Sequence, residues 1–343
     1  MIALSMQAIL PKIHEEKKGL LQQRRIFMMK SIVIYYSQSG NTRKIAKAIH
    51  KGMGQKAGQC DIAQVKAVEP ADLNNYDLIG LGSPVWMGGF PPNVRIFVEN
   101  LPTQDARHIF SFNTHGVMPE LYFPSVVRKL RAKGFTVVGM RDWYGSAHFQ
   151  IAPKPYFTDG HSDEIDLREA EEFGREMVET SRRIREGETN LIPPLPKFEL
   201  TPQLLVLLEF FQSGHNPHGS LQYDREKCLY PKCRLCVDNC LMGYIDLSVD
   251  SPRFGSKGNA CDMWMGCTFC ELICPTGAIS CDWDAVLAEN AGLGQMFGYN
   301  PLEKAAQDAL ALGRLRKLVA EDSKGPYYKV YSKRPRFKIP QDE

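Results

Sequence analysis

Nowhere in its 343 residues does the chain carry an apolar run long enough to cross a bilayer. The longest, LLVLLEFF from Leu204 to Phe211, is far short of the roughly 20 residues a transmembrane helix requires, and it reads as a buried or interdomain helix. The first 28 residues lack the continuous apolar stretch and small-residue cleavage site of a secretory signal, which argues against export. Charge of one sign is scarce: a formal net charge of +3 implies no general affinity for nucleic acid or membrane surfaces. Cysteine is scarce outside one window. Eight of the ten cysteines fall between Cys228 and Cys274, which excludes a disulfide framework spread over a secreted fold and points to reduced, metal-binding thiols in a cytoplasmic protein. There is no Gly-x-x-x-x-Gly-Lys run, so a nucleoside triphosphate held through Mg²⁺ is disfavoured. The Gly-x-Gly run at Gly292-Leu293-Gly294 follows no strand, and no catalytic acid or nucleophile stands out.

The length itself implies two compact units, since single cores rarely grow past about 250–300 residues. Met28 and Met29 stand just before the first clear strand, which leaves residues 1–28 as an N-terminal extension, either without a role in the fold or a helical arm. From there strand and helix patterns alternate. Strands are expected at Ser31–Ser37, Ile62–Val68, Tyr76–Gly82, His108–Asn113 and Thr136–Met140, with helices near Pro92–Asn100, Pro119–Lys133 and Ile165–Glu186. In the last helix Leu167, Phe173, Met177, Val178 and Ile184 share one side. This alternation implies a doubly wound parallel sheet, whose ligands bind beyond the carboxyl ends of the strands.

The loops at that edge have a chemistry of their own. After the first strand, Ser37, Gln38, Ser39, Gly40, Asn41 and Thr42 offer hydroxyls and backbone N–H groups at a helix N-terminus, a cradle for a phosphate that would be held by uncharged donors. An ordinary N-capped helix would use the same residue types. After the third strand, Ser83, Pro84, Val85, Trp86, Met87 and Gly88 bring an aromatic plane and glycine backbone to the same edge, where a flat ring system fits; Trp86 as a packed surface aromatic is the alternative. Thr114, His115 and Gly116 follow the fourth strand, and His115 is either a structural histidine or a proton donor.

Strand, SQSGNT, helix and then GSPVWMGG resembles the flavodoxin family, over about residues 30–186. The resemblance implies an α/β flavodoxin-like sheet of order 2-1-3-4-5 that binds FMN. Residues 37–42 would hold the FMN phosphate, Ser83 to Gly88 would flank the isoalloxazine, and Thr114, His115 and Gly116 would stand at its second face. Trp143 and Tyr144 are alternatives for that second contact, and Gly88 or Gly89 is the expected place for a peptide flip.

The cysteines form two runs, Cys228-x4-Cys233-x2-Cys236-x3-Cys240 and Cys261-x5-Cys267-x2-Cys270-x3-Cys274-Pro275, whose last three positions lie 34 residues apart. That offset marks an internal duplication, and thiolates at this spacing suit iron–sulfur clusters. Plant-type two-iron ligation and paired zinc sites stay open on spacing. The arrangement resembles the bacterial two-cluster ferredoxin, a small α+β fold in which the fourth cysteine of each run serves the other cluster. On that resemblance Cys228, Cys233, Cys236 and Cys274 hold one [4Fe-4S] cluster, and Cys240, Cys261, Cys267 and Cys270 hold the second. The chain departs from the family in the long first spacings and in Leu241, which stands where a proline is usual. Cys60 and Cys281 lie outside the pattern.

The whole resembles flavodoxin–ferredoxin fusion proteins over about residues 30–284. The expected organisation is an extension (1–28), an FMN domain (29–186), a proline-rich linker with the apolar helix (187–223), a two-cluster module (224–284), and a helical, basic tail (285–343). Between Gly313 and Lys338 the tail holds nine Lys or Arg against two acidic residues, enough to steer an acidic redox partner or, equally, to wrap the core. The expected function is electron transfer between clusters and FMN, to or from a partner such as an acidic ferredoxin or a reductase, with a homodimer left open and no nucleic acid or membrane span. The alternative is an FMN-dependent reductase acting directly on a quinone or an oxidised cofactor.

Overall fold

The computed structural model of the protein describes residues 29–86, 88–117, 119–198, 200–201, 205, 221–249, 253–256, 259–260, 267–289, 301–320, 322 and 324–340. Five parallel strands, β1 (Lys30–Tyr35), β2 (Gln59–Gln64), β3 (Leu78–Pro84), β4 (His108–His115) and β5 (Thr136–Tyr144), form one sheet in the order β2-β1-β3-β4-β5. Successive side chains of a strand point to opposite faces, and here both faces are buried. Ile32 and Ile34 of β1, with Ile79 and Leu81 of β3, pack under helices α2 (Pro92–Glu99) and α3 (Tyr122–Ala132). Val33 and Tyr35 pack on the other face under α1 (Asn41–Gly54) and α4 (Glu164–Arg185). Gly80 and Gly82 of β3 leave the space that the Phe110 and Phe112 rings fill; any Cβ there would run into those rings.

The first, third and fourth strands, β1, β3 and β4, fall within two residues of their expected bounds, and the other two shift further. The second strand, expected at Ile62–Val68, runs instead from Gln59 to Gln64, and Val65–Ala67 is a 3₁₀ turn. As an edge strand of half-exposed residues it carries little hydrophobic pattern to fix its ends. The fifth, expected to end at Met140, continues to Tyr144 because β4 keeps pairing, Thr114 with Trp143 and His115 with Tyr144. That places Trp143 inside the core, 4% exposed and edge-on to Phe173 at 5.7 Å, so it does not face the sheet edge where a ring contact was expected of it.

The cysteine-rich segment is built from short pieces. Strand β7 (Gln222–Tyr223) pairs antiparallel with β11 (Ile279–Ser280), and helices α5 (Leu235–Asp238) and α6 (Phe269–Ile273) lie between them in sequence. A small antiparallel sheet, β8 (Ile245–Asp246), β9 (Arg253–Ser256) and β10 (Asn259–Ala260), completes an arrangement compatible with a ferredoxin-like α+β unit. Beyond it come α7 (Trp283–Glu289) and α8 (Pro301–Ala311). The chain then returns to the first unit, where β12 (Gly325–Pro326), followed by α9 (Tyr327–Val330), pairs with β6 (Pro153–Lys154). The apolar helix expected at Leu204–Phe211 lies outside the described residues except for Leu205.

The tail packs back onto the molecule, and three of its arginines are drawn in from solvent. Arg316 spans Asp163, the N-cap of α4, and Asp166 at 2.6–2.8 Å, while Lys329 pairs with Asp284 at 2.6 Å. His161, Asp163 and Asp166 form a cluster with a metal-like donor set, but the Arg316 guanidinium occupies its centre, so the group acts as a staple between the tail and α4. Arg334 and Arg336 reach Glu271 of α6, which has no solvent exposure.

Candidate functional site

The strand order reverses between β1 and β3, and the crevice beyond their carboxyl ends is an open cavity of about 220 Å³. Gln38, Ser39, Asn41 and Thr42 line it from the first loop, Pro84, Val85 and Trp86 from the second, and Thr114, His115 and Gly116 from the third. A fourth wall, Gly145 to Phe149 with Ala152 and Tyr156, comes from a segment that carries no recognisable signal in the sequence. Its residues are small or single aromatics scattered through an irregular stretch, and only the fold brings them to the edge. Tertiary bonds fix the wall: Gly145 N–H donates to the His115 carbonyl at 2.9 Å, and Asn41 Nδ2 donates to the Ser146 carbonyl at 2.9 Å.

Not every expected residue reaches the cavity. Ser37 turns its hydroxyl back to accept from Gly40 N–H at 3.1 Å and faces a second cavity on the other side of the loop. Gly40 makes the turn, at φ +93°, and Gly88 adopts φ +78° in the tight turn where Trp86 and Gly89 exchange two backbone bonds of 2.8 Å. Ser83 is fully buried in the sheet, sharing a 2.9 Å bond with the Tyr122 hydroxyl. Met87 lies outside the described residues.

Two features test the fit to a phosphorylated flavin. At the start of α1 the N–H groups of Asn41 and Thr42 have no preceding helical turn to bond and stand at the positive end of the helix dipole. Thr42, 1% exposed, shares a 2.7 Å hydrogen bond with Thr114, which locks the first loop to the third. His115, 6% exposed, bonds Asp142 at 2.9 Å through Nε2, while its Nδ1 has no partner among the described residues, a buried polar atom left for a ligand. The residues present fit FMN: backbone donors for a phosphate at the start of α1, with Trp86, Tyr156 and His115 lining the same cavity.

The cysteines gather in two places. Cys228, Cys233, Cys236 and Cys274 line one small enclosed space of about 20 Å³ together with Leu229, Leu235 and Leu247. Backbone N–H groups of Ile279, Thr276 and Ala278 face the Cys274 sulfur; burial works against its ionisation, but these donors outweigh it and hold the thiol below its ordinary pKa. The second place lies against the first unit. Cys267 is near enough to Cys240 for their charges to interact, and Tyr244 N–H points at Cys240 Sγ at 3.3 Å. Gln38 Nε2 donates to Cys267 Sγ at 3.6 Å. Tyr36 sits beside both sulfurs, and its pKa is raised, chiefly by burial and then by Cys267 and Cys240. Cys270 packs toward the Cys274, Ala278 and Ile279 group, and Cys261 lies outside the described residues. The first set has the donors an iron–sulfur cluster needs, four thiols in one group with N–H groups aimed at sulfur; the second shows two thiols, Cys240 and Cys267, among the described residues. Cys60 stands apart on β2, with burial pushing its thiol up to about 11, and Cys281 is likewise pushed up to about 12.

The fold is flavodoxin-like. Residues 32–129 match the family model described as Flavodoxin domain. An uncharacterized protein of Methanocaldococcus jannaschii is 27% identical over 164 residues, 44% of this chain and 99% of that protein. Protoporphyrinogen IX dehydrogenase (quinone) of Escherichia coli strain K12 is 26% identical over 76 residues, which covers 22% of this chain and 42% of that protein. Among solved structures, a flavodoxin from the domain Archaea is 23% identical with a TM-score of 0.35, covering 45% of this chain and 99% of its own. The Flavodoxin-domain match supports FMN as the ligand of the cavity and an FMN-linked redox or electron-transfer role. Among the described residues no helix is long and apolar enough to cross a membrane.

Proposed function

We propose that the protein is an electron carrier that passes electrons between FMN at the sheet edge and two four-iron clusters, to or from a partner redox protein. The observation that carries this reading is Gln38. It lines the flavin cavity, and its side chain donates to Cys267 Sγ at 3.6 Å, so one residue touches both the FMN site and a cysteine of the second run. Cys228, Cys233, Cys236 and Cys274 would hold the first cluster, and Cys240, Cys267, Cys270 and Cys261 the second. FMN supplies one- or two-electron chemistry and a four-iron cluster one-electron chemistry when bound. The chain's own part is placement. Residues 38–42 orient the phosphate, Trp86 and Tyr156 confine the ring, and Gln38 and Tyr36 stand beside Cys267. The partner would be an acidic ferredoxin or a reductase. Because Arg316, Arg334 and Arg336 are engaged internally, steering by the tail falls to exposed cations such as Lys329, Lys333 and Lys338.

The test is an absorbance and EPR spectrum of anaerobically purified protein with flavin and metal analysis. One FMN and about eight irons per chain are expected for two four-iron clusters. Zinc in place of iron, or no flavin, would overturn the reading.

A second reading is an FMN-dependent reductase of a small substrate. It is favoured by the openness of the cavity beside His115 and by the partial likeness to a quinone-linked dehydrogenase. Stopped-flow oxidation of the reduced protein separates the two: rapid turnover with small quinones, against slow oxidation by protein partners, selects the reductase.

A further inference from the structure

The C-terminal segment touches the phosphate loop, the irregular wall of the flavin cavity and helix α6 of the cysteine-rich unit within seven residues. Pro340 packs directly over Gly40, its Cγ 3.0 Å from where a Cβ would stand, and Arg43 Nη1 donates to the Pro340 carbonyl at 3.2 Å. Phe337 lies edge-on to His148 at 5.0 Å, and His148 lines the cavity. On its other side Phe337 packs on Phe269 at 6.0 Å, and its N–H donates to the Leu272 carbonyl of α6 at 2.9 Å. Arg336 Nη1 reaches both Gln150, just beyond the cavity wall, and Glu271, at 3.1 and 2.8 Å. Arg334 adds a 2.8 Å bond to the Glu271 carbonyl.

We propose that residues 334–340 are a structural part of the FMN site, a clasp that fixes the phosphate loop and the His148 wall and that is itself anchored on α6. This rests on the reading that the cavity takes FMN. The physical argument is preorganisation. The phosphate loop is a turn through a left-handed glycine, and the fourth wall is irregular chain from Gly145 to Ala152, joined to a strand only where β6 pairs with β12. Ordering such segments costs conformational entropy, and a clasp that orders them before ligand arrives removes that cost from binding. The anchor on α6 makes the flavin site depend on the cysteine-rich unit. Cys270 lies within that helix and Cys274 caps its C-terminus, so two candidate cluster ligands share the element that carries Glu271 and Leu272.

The experiment measures FMN affinity and release by flavin fluorescence in three variants of the full protein and in a chain ending at Lys333. The truncated chain and Phe337→Ala are expected to bind FMN at least 10-fold more weakly, mainly through faster release. Lys338→Ala, which alters an exposed side chain of the same segment, should match the parent. Arg336→Met should fall between. Circular dichroism checks that each variant is folded, and the point variants keep the test decisive if the truncated chain is not. Unchanged affinity and release in folded Phe337→Ala and Arg336→Met would overturn the clasp. Failure of the unaltered protein to bind FMN would instead overturn the reading of the cavity.

Discussion

Glu271 is the place where one substitution should cost the most. Its carboxylate is fully buried and has four donors around it. Gln150 Nε2 and Trp283 Nε1 give to Oε2 at 2.6 and 2.9 Å, and Arg336 and Arg334 give to Oε1 at 2.8 and 3.4 Å. The donors come from the first unit, from the start of α7 and from the tail, so this one side chain ties three parts of the chain together. Glu271→Ala would leave two largely buried guanidiniums without their counter-ion, a loss worth about 3–5 kcal/mol when one partner of a buried pair is removed. It would also orphan a buried amide and an indole N–H, at about 1–3 kcal/mol each. The terms share one carboxylate and do not add, and some donors will find water. The expected cost is therefore about 4–6 kcal/mol, a large part of the ~5–15 kcal/mol by which domains are stable. Anaerobic urea denaturation reads the loss as a lowered midpoint, and limited proteolysis should cut the tail of the variant near Lys333 sooner than that of the parent. In the Glu271→Ala background, Arg336→Met should cost much less than it does alone. A midpoint shift worth under about 1 kcal/mol, with the tail equally protected, would refute the argument that the buried carboxylate holds the units together.

Three further outcomes are expected. Gly40→Ala forces a Cβ into a left-handed turn and against Pro340, a strain of about 1–2 kcal/mol, so FMN affinity measured by fluorescence titration should fall roughly 5- to 30-fold; an unchanged affinity would show that the turn relaxes freely. Gln38→Leu removes an N–H donor from the Cys267 sulfur, and in a loaded protein the nearby cluster should shift to a more negative potential in an EPR-monitored titration while FMN stays bound; no shift would mean that the contact does not tune the cluster. His108 and His148 are each pulled down to about 4, chiefly by burial, with Arg185 adding for His108 and Lys154 for His148. A depressed histidine contributes stability above its unfolded value near 6.5 and loses it as the unfolded chain takes up protons, so stability should fall between pH 6.5 and about 4. In His108→Asn that fall should be shallower, and denaturation midpoints across this window that ran parallel in parent and variant would contradict the assignment.

Much of the first unit was legible because its signals are local. SQSGNT after an apolar strand, and GSPVWMGG after another, state their chemistry within a few residues, and buried strands such as Ile79–Leu81 advertise themselves by composition. The edge strand β2 and the end of β5 were misplaced because what bounds them is pairing with a neighbour, which no short window contains. Trp143 was expected beyond the end of a strand as an alternative ring contact, yet β5 runs on past it and turns it into the core against Phe173.

By itself the sequence determined the doubly wound order of strands and helices, the phosphate-type loop and the duplicated cysteine runs, because each depends on spacing along the chain. The tertiary structure alone decided which cysteines meet, that Gln38 touches Cys267, that Ser83 is core rather than wall, and that a basic tail spends Arg316, Arg334 and Arg336 on buried carboxylates. Those outcomes depend on which surfaces meet after residues 39 to 229 positions apart come together. A guanidinium's choice between solvent and a buried partner is set by that local geometry and desolvation rather than by its neighbours in sequence.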